Sequence, residues 1–325
     1  MIKKFLLSKG FIDEKIPEGI NLVQEIKSLC KNKNVIIMAH YYQPAEIQDI
    51  ADFIGDSLAL AQQATKTNAD IIVICGVHFM GETAKILSPQ KKVVVPDLNA
   101  GCSLADSCPA DKFEDFIKKH PDYTVISYVN TTAAVKALTD VCVTSTNAKK
   151  IVDQFPNDAK LIFGPDKNLG DYINSTTGKN MILWDGACHV HEQFSLEKIL
   201  ELKEQYPNAL VLAHPECKKH ILTIADFVGS TQALLNFATE SDKQQFIIAT
   251  ESGIIHEMRK KNPFKEFIPA PPLDSTCACN ECNFMRLNTM EKLYNCLKFE
   301  LPEILVEEEL RKKAEKSIVR MLEMS

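Results

Sequence analysis

Cys102, Cys188 and Cys282 each close a stretch of sequence built on one pattern, and thiolates are the ligands that suit soft metals and iron–sulfur clusters. The first stretch runs VIIMAHYYQ, IADFIGDSLALAQQ, DIIVICGVHFMGETAKIL and VVVP to Gly101-Cys102. The second runs TVISYVNTT, LTDVCVTSTNAKKI, KLIFGPDKNLGDYI and MILW to Ala187-Cys188. The third runs ALVLAHPEC, IADFVGSTQALLN, FIIATESGIIHEM and FIPA to the run Cys277-Ala-Cys279-Asn-Glu-Cys282. Their leading strands start at Val35, Val125 and Leu210, a period of about 85–90 residues that marks one structural unit used three times. Units related by a rotation axis bring equivalent positions together near it. Three thiols meeting there make a metal or cluster site.

Two further groups recur at fixed places. The leading strands run out at His40-Tyr41-Tyr42, Tyr128-Val129-Asn130 and His214-Pro215-Glu216. The next helices begin at Gly55-Asp56-Ser57, Thr144-Ser145-Thr146 and Gly229-Ser230-Thr231. Parallel α/β units present ligand groups at the carboxyl ends of their strands, so three-fold packing would pool these residues. A hydroxyl at a helix start is first of all an N-cap. Three helix N-termini aimed at one centre would also draw anions, a phosphate or a polycarboxylate. A single His at a strand end usually serves hydrogen bonding; recurrence at one repeat position, beside Glu216, points to acid–base work near neutral pH.

The remaining cysteines divide by context. Cys30, Cys75, Cys142 and Cys296 read as small core hydrophobes. Cys102 and Cys188 stand in Gly- and Ala-flanked turns, AGCSLAD and DGACHVHE, where backbone can approach a bulky group. Structural zinc wants four ligands, commonly in paired sets, and the partner pair is absent. One thiol per repeat suits an iron–sulfur cluster on the axis; since clusters usually take four thiolates, three would leave one iron open as a Lewis acid for dehydrations. After Cys188, His191 is expected to orient the cluster or touch substrate, and His189 to be structural.

The elements that must position these groups alternate regularly. Short Val/Ile-rich strands, apolar on both faces, alternate with helices, as in a parallel sheet covered on both sides. A short extra strand is expected near Ala51–Ile54, Asp140–Val143 and Ala225–Val228, and helices over Asn21–Cys30, Ser57–Thr67, Lys112–His120, Thr146–Gln154, Ser195–Tyr206 and Thr231–Thr239. The fold class is therefore α/β: three pseudo-symmetric α/β/α sandwich domains with short parallel sheets around a central iron–sulfur site. The expected divisions are 1–108 with an N-terminal helix, 109–192, and 193–325 with the Cys-rich loop and C-terminal helices packed outside. Units this small bury little surface alone and should pack closely. Of 325 residues 45% are hydrophobic and 25% charged, with net charge −6, which argues against a nucleic-acid groove. No apolar run has membrane-spanning length. Eleven cysteines without an export signal read as reduced thiols of a cytoplasmic protein.

The ordered strings AHYYQPAEIQDIADFIGDSL, CGVHFMGETAKILSP, DLNAGCSLAD, SYVNTTAAVKA, GPDKNLGDYI, GACHVHE, AHPEC, FVGSTQ, IATESGIIHEM and CNFM resemble the quinolinate synthase family of bacterial NAD biosynthesis, from about Val35 to Leu287. The resemblance implies condensation of iminoaspartate with dihydroxyacetone phosphate to quinolinate, phosphate and water, on a 4Fe–4S cluster held by Cys102, Cys188 and Cys282. It places substrate contacts on His40, Ser57, Tyr128, Asn130, Ser145, His214, Glu216 and Thr231, and proton transfer on Tyr42 and Glu216 with His40 and His191 close by. It also implies an aspartate-oxidising enzyme as supplier of the unstable imine. Some members carry C-x-x-C-x-x-C before the third ligand, whereas here Cys277 is displaced by one residue, which removes the basis for a redox role of Cys277 and Cys279. Two rival readings stay open: a cluster-bearing hydro-lyase acting on one dicarboxylic acid, and a zinc or iron–sulfur redox module that would leave the triplication unexplained.

Overall fold

The structure is a computed structural model that describes residues 9–274 and 280–325, so Cys277 and Cys279 lie outside the described residues. The described strands form three four-stranded sheets in which every pairing is parallel. The first holds β1 (Val35–His40), β2 (Phe53–Gly55), β3 (Ile71–Cys75) and β4 (Lys92–Val94) in the order β2-β1-β3-β4. The second repeats that order with β5 (Thr124–Tyr128), β6 (Val141–Val143), β7 (Leu161–Gly164) and β8 (Ile182–Leu183). The third does so with β9 (Leu210–Ala213), β10 (Phe227–Val228), β11 (Gln245–Ala249) and β12 (Glu266–Pro269). Helices cover the faces, giving three parallel-sheet α/β/α layers. The extra strands expected near Ala51, Asp140 and Ala225 are β2, β6 and β10.

The triplication reaches individual atoms. Asp52, Asp140 and Asp226 stand just before β2, β6 and β10, and each hooks back to the leading strand of its own sheet. Their Oδ2 atoms accept the N–H of Ile37, Val125 and Val211 at 2.8, 2.7 and 2.7 Å. Their own N–H groups donate to the carbonyls of those same three residues at 2.9, 2.9 and 2.8 Å. A carboxylate is thus used where the ladder would otherwise leave an N–H unpaired. These hooks fix the register of β2, β6 and β10 against the leading strands β1, β5 and β9.

The units share their cores. Met38 and Ile72 of the first sheet, Ile126 and Phe163 of the second, and Ile318 and Met321 near the C-terminus belong to one apolar cluster. Tyr41 joins the third unit's core, while Val190 and Cys188 pack with Val211 and Ile247. Helix Thr146–Gln154 of the sequence reading is shorter, Ala148–Asp153, because Thr144 to Asn147 form a turn in which Asn147 Oδ1 accepts the Thr144 N–H. The C-terminal helices, which follow the third unit in sequence, pack on the other two. Met290–Phe299 lies along Leu22–Lys33, and Lys33 Nζ donates to the Leu297 carbonyl at 3.0 Å. Glu308–Met324 lays Ala314, Ile318 and Met321 over β6 and helix His78–Leu87, and Ser317 Oγ donates to the Lys136 carbonyl at 2.9 Å. The physical reason is area: that apolar stripe closes the seam between the first two units. No helix among the described residues is long and apolar enough to cross a membrane.

The hooks predict a stability effect. Asp140→Ala should cost about 1–2 kcal/mol, the worth of a hydrogen bond to a charged group, while Asp140→Asn, which keeps an acceptor oxygen, recovers much of it. Urea unfolding of the three proteins measures this; an Asp140→Ala midpoint equal to that of the unsubstituted chain would remove the hook from the fold's energetics.

Candidate active site

The carboxyl ends of the three sheets face one cavity. It is lined by residues of all three units, among them His40, Tyr42, Ser57, Tyr128, Asn130, Ser145, His191, His214, Glu216 and Thr231. The units grip each other there in rotation. Tyr42 of the first bonds Thr231 of the third at 2.7 Å, His214 of the third bonds Ser145 of the second at 3.2 Å, and Thr146 of the second donates to Asp56 of the first at 2.7 Å. Strand ends of one unit thus reach helix starts of another. Asn130 Oδ1 is buried without a partner beside this ring, an acceptor left for something in the cavity.

The helix starts differ from the expectation drawn from sequence. Asp56 and Ser230, not Ser57 and Thr231, are the N-caps, accepting the N–H of Ala59 at 3.0 Å and Ala233 at 3.3 Å. Ser57 and Thr231 are first helical residues, which turns their side chains to the cavity. Asp56 brings a negative charge to its helix start and offsets the helix dipole there. The side-chain donors around the cavity therefore offer more to an anion than the end of this helix does.

Those donors are set by a repeated turn. His40 Nδ1 accepts the Tyr42 N–H at 3.2 Å, and His214 Nδ1 accepts the Glu216 N–H at 3.4 Å. Burial pushes both rings down to about 3, so both are neutral with the proton on Nε2. Gln48, almost fully buried, donates to the carbonyls of Tyr41, Gln43 and Gly253 and so clamps the Tyr42 turn to the third unit. Gly253 has to be glycine, because a Cβ there would sit 2.8 Å from Tyr42 Cα.

Glu216 sits at the centre of a polar chain. Tyr128 donates its hydroxyl to Oε1 at 2.7 Å, and His191 Nδ1 lies 3.0 Å from Oε2 without the alignment of a hydrogen bond. His191 Nε2 meets Thr250 Oγ1 at 3.0 Å, and that hydroxyl meets Tyr42 at 2.7 Å. Burial drives the Glu216 carboxyl up, but His191 beside it and the Tyr128 hydroxyl outweigh it and hold the group at about 2. Burial pushes both tyrosines well above the usual phenol range. The result is an ionised carboxylate joined to two protonated tyrosines. Thr250 was not singled out in the sequence, although it stands one residue beyond β11, where the rule about strand ends applies equally.

Cys102, Cys188 and Cys282 line this cavity together, each a free thiol. Cys102 is the N-cap of a single helical turn, Ser103–Asp106, whereas Cys188 and Cys282 stand three residues ahead of the turns His191–Gln193 and Met285–Leu287. The backbone N–H groups of Ala105 and Leu104, of His191, and of Met285 and Phe284 favour the charged form of the respective sulfurs. Burial nevertheless pushes Cys102 up to about 12, Cys282 to about 11 and Cys188 well above the usual thiol range. Thiols so placed become thiolates only beside a cation, and a coordinated metal deprotonates them outright. The donor set fits a soft metal group. Cys188 Sγ, a His191 ring nitrogen and a Glu216 oxygen also lie within 4.8 Å of one another, a spacing at which one ion could be held. His189 is placed structurally, its Nδ1 against Ser103 Oγ at 2.6 Å.

A family model described as quinolinate synthetase A protein matches residues 24–323. The chain is 58% identical over 309 residues to quinolinate synthase of Thermosynechococcus vestitus, covering 95% of this chain and 97% of that one. It is 57% identical to quinolinate synthase of Chloroherpeton thalassium, over 94% and 95% of the two chains, and 58% identical to that of Synechocystis, over 94% and 96%. With one cavity fed by three repeated units and a match that spans nearly its whole length, the chain belongs to the quinolinate synthase family of enzymes.

Proposed function

We propose that this enzyme condenses iminoaspartate with dihydroxyacetone phosphate to give quinolinate, phosphate and water, with a 4Fe–4S cluster held by Cys102, Cys188 and Cys282. The observation that carries the reading is the meeting of one free thiol from each unit with Glu216 in a single cavity. Bound there, such a cluster supplies one iron open to a substrate oxygen, a Lewis acid for the loss of water.

The chain's own residues supply the rest. Both substrates are anionic, and the Nε2–H groups of His40 and His214, the Asn130 amide and the hydroxyls of Ser57, Ser145 and Thr231 are neutral donors for their oxygens. Neutral donors suit a buried site, since they bind anions without the cost of burying cations first. Glu216 is the proton acceptor. Held at about 2 it is a weak base, but substrate that draws the Tyr128 hydroxyl away removes one of the bonds holding it down, and its basicity rises where it is used. Tyr42 is the partner acid, joined to Glu216 through Thr250 and His191. An aspartate-oxidising enzyme supplies the iminoaspartate, and the reaction runs in the cytoplasm.

An anaerobic assay with both substrates, following quinolinate and phosphate together, tests the reading; turnover of a single dicarboxylate without phosphate release would replace it with a hydro-lyase. Cys188→Ala should lose the brown chromophore with its iron and sulfide, and Cys296→Ala, whose thiol is buried in the core, should keep them. Full iron and sulfide in Cys188→Ala would withdraw that residue as a ligand. Glu216→Gln should retain the chromophore and lower kcat by about 100-fold or more, the usual yield of a positioned acid–base group. Near-normal quinolinate formation by Glu216→Gln would take the carboxylate out of the mechanism.

A further inference from the structure

Two buried carboxylates have no part in the chemistry above. Asp166 follows β7 and Glu251 follows β11, each two residues beyond its strand, and they are 0% and 1% exposed. Each holds the backbone of a cysteine that lines the cavity. Asp166 Oδ2 accepts the Cys188 N–H at 3.2 Å while Oδ1 accepts the Leu169 N–H at 2.7 Å, capping helix Lys167–Thr177. Glu251 Oε1 accepts the Cys282 N–H at 3.1 Å and an Arg286 guanidinium N–H at 2.9 Å, while Oε2 accepts the Gly253 N–H at 2.7 Å. The equivalent position in the first unit is Val77, which has no acceptor to offer. There the Cys102 segment is held differently, the Ala100 carbonyl accepting the His78 N–H at 2.6 Å, Ser103 Oγ meeting His189 Nδ1 at 2.6 Å, and the Asp97 carboxylate taking the Asn99 N–H rather than that of the cysteine.

We infer that Asp166 and Glu251 are positioning residues that lock the Cys188 and Cys282 segments, so that two of the three ligand corners are preorganised by a carboxylate and the Cys102 corner is not. This rests on the three-cysteine cluster reading for its consequence but not for its geometry. A ligand whose main chain is already fixed loses less freedom on binding and escapes less readily. All the carboxylate oxygens accept from N–H groups, which offsets part of the cost of burying them. The same carboxylates direct two cysteine N–H groups away from sulfur, leaving the sulfurs to the N–H groups of the following turns.

The test uses two variants and two readouts. Asp166→Ser keeps a good N-cap for Leu169 but is too short to reach the Cys188 N–H; Glu251→Ala removes the acceptor for Cys282. In cluster-free protein, peptide-resolved hydrogen exchange should speed up about tenfold around Cys188 in the first variant and around Cys282 in the second, each leaving the other segment unchanged. In protein reconstituted anaerobically with iron and sulfide, a chelator should strip iron about tenfold faster from either variant than from the unsubstituted chain. Exchange at both segments and iron loss all at the unsubstituted rates, in variants with intact far-UV circular dichroism, would overturn the inference. Faster exchange in a protein that takes up no iron and sulfide at all would uphold the braces and bring down the cluster reading instead. Should Asp166→Ser fail to fold, the Glu251→Ala pair of measurements decides.

Discussion

Everything in this structure depends on three sheets pointing their carboxyl ends at the same point and staying there. Each sheet alone is too small to hold that aim, because four short strands bury little apolar surface. The orientation comes from sharing. The first two units pool one core that the helix Glu308–Met324 closes, and Tyr41 and Val190 carry the third unit into contact with the others. Inside that shell the bonds from Tyr42 to Thr231, His214 to Ser145 and Thr146 to Asp56 fix the mutual rotation of the units. A cavity built at such a junction is rigid because no unit can tilt without breaking bonds to both neighbours.

Symmetry supplies positions, and the breaking of symmetry supplies chemistry. The turn after the leading strand appears as His40 to Tyr42 and again as His214 to Glu216, with the same N–H to Nδ1 contact, yet one delivers a phenol and the other a carboxylate. A duplicated backbone turn thus presents two groups of very different basicity. The second unit has no such histidine and provides Tyr128, which bonds Glu216 directly. Thr250 and His191, from later elements of the third unit and the second–third junction, join the pieces.

Much of this was legible in the sequence, for a physical reason. A period of strands, turns and cysteines is a statement about equivalent positions, and equivalent positions in a rotational assembly must meet. The sheets, the extra strands β2, β6 and β10, and the gathering of Cys102, Cys188, Glu216, His214 and Asn130 follow from it. What escaped were partners whose identity depends on packing. Nothing in the string IATES says that Thr250 lies between His191 and Tyr42, nor that Glu251 holds the main chain of Cys282. The return of Glu308–Met324 to the first two units was hidden for the same reason. An amphipathic helix declares that it has an apolar stripe, and only the assembled molecule shows which seam lacks a cover.

The buried charge explains why the site is so densely bonded. An ionised carboxylate taken from water costs several kcal/mol unless its lone pairs are met, and Glu216 is 4% exposed. Burial keeps the His40 and His214 rings neutral, and the cost falls instead on a phenol, on the His191 ring and on the geometry that brings them in. Such a carboxylate is stable only while every partner is in place.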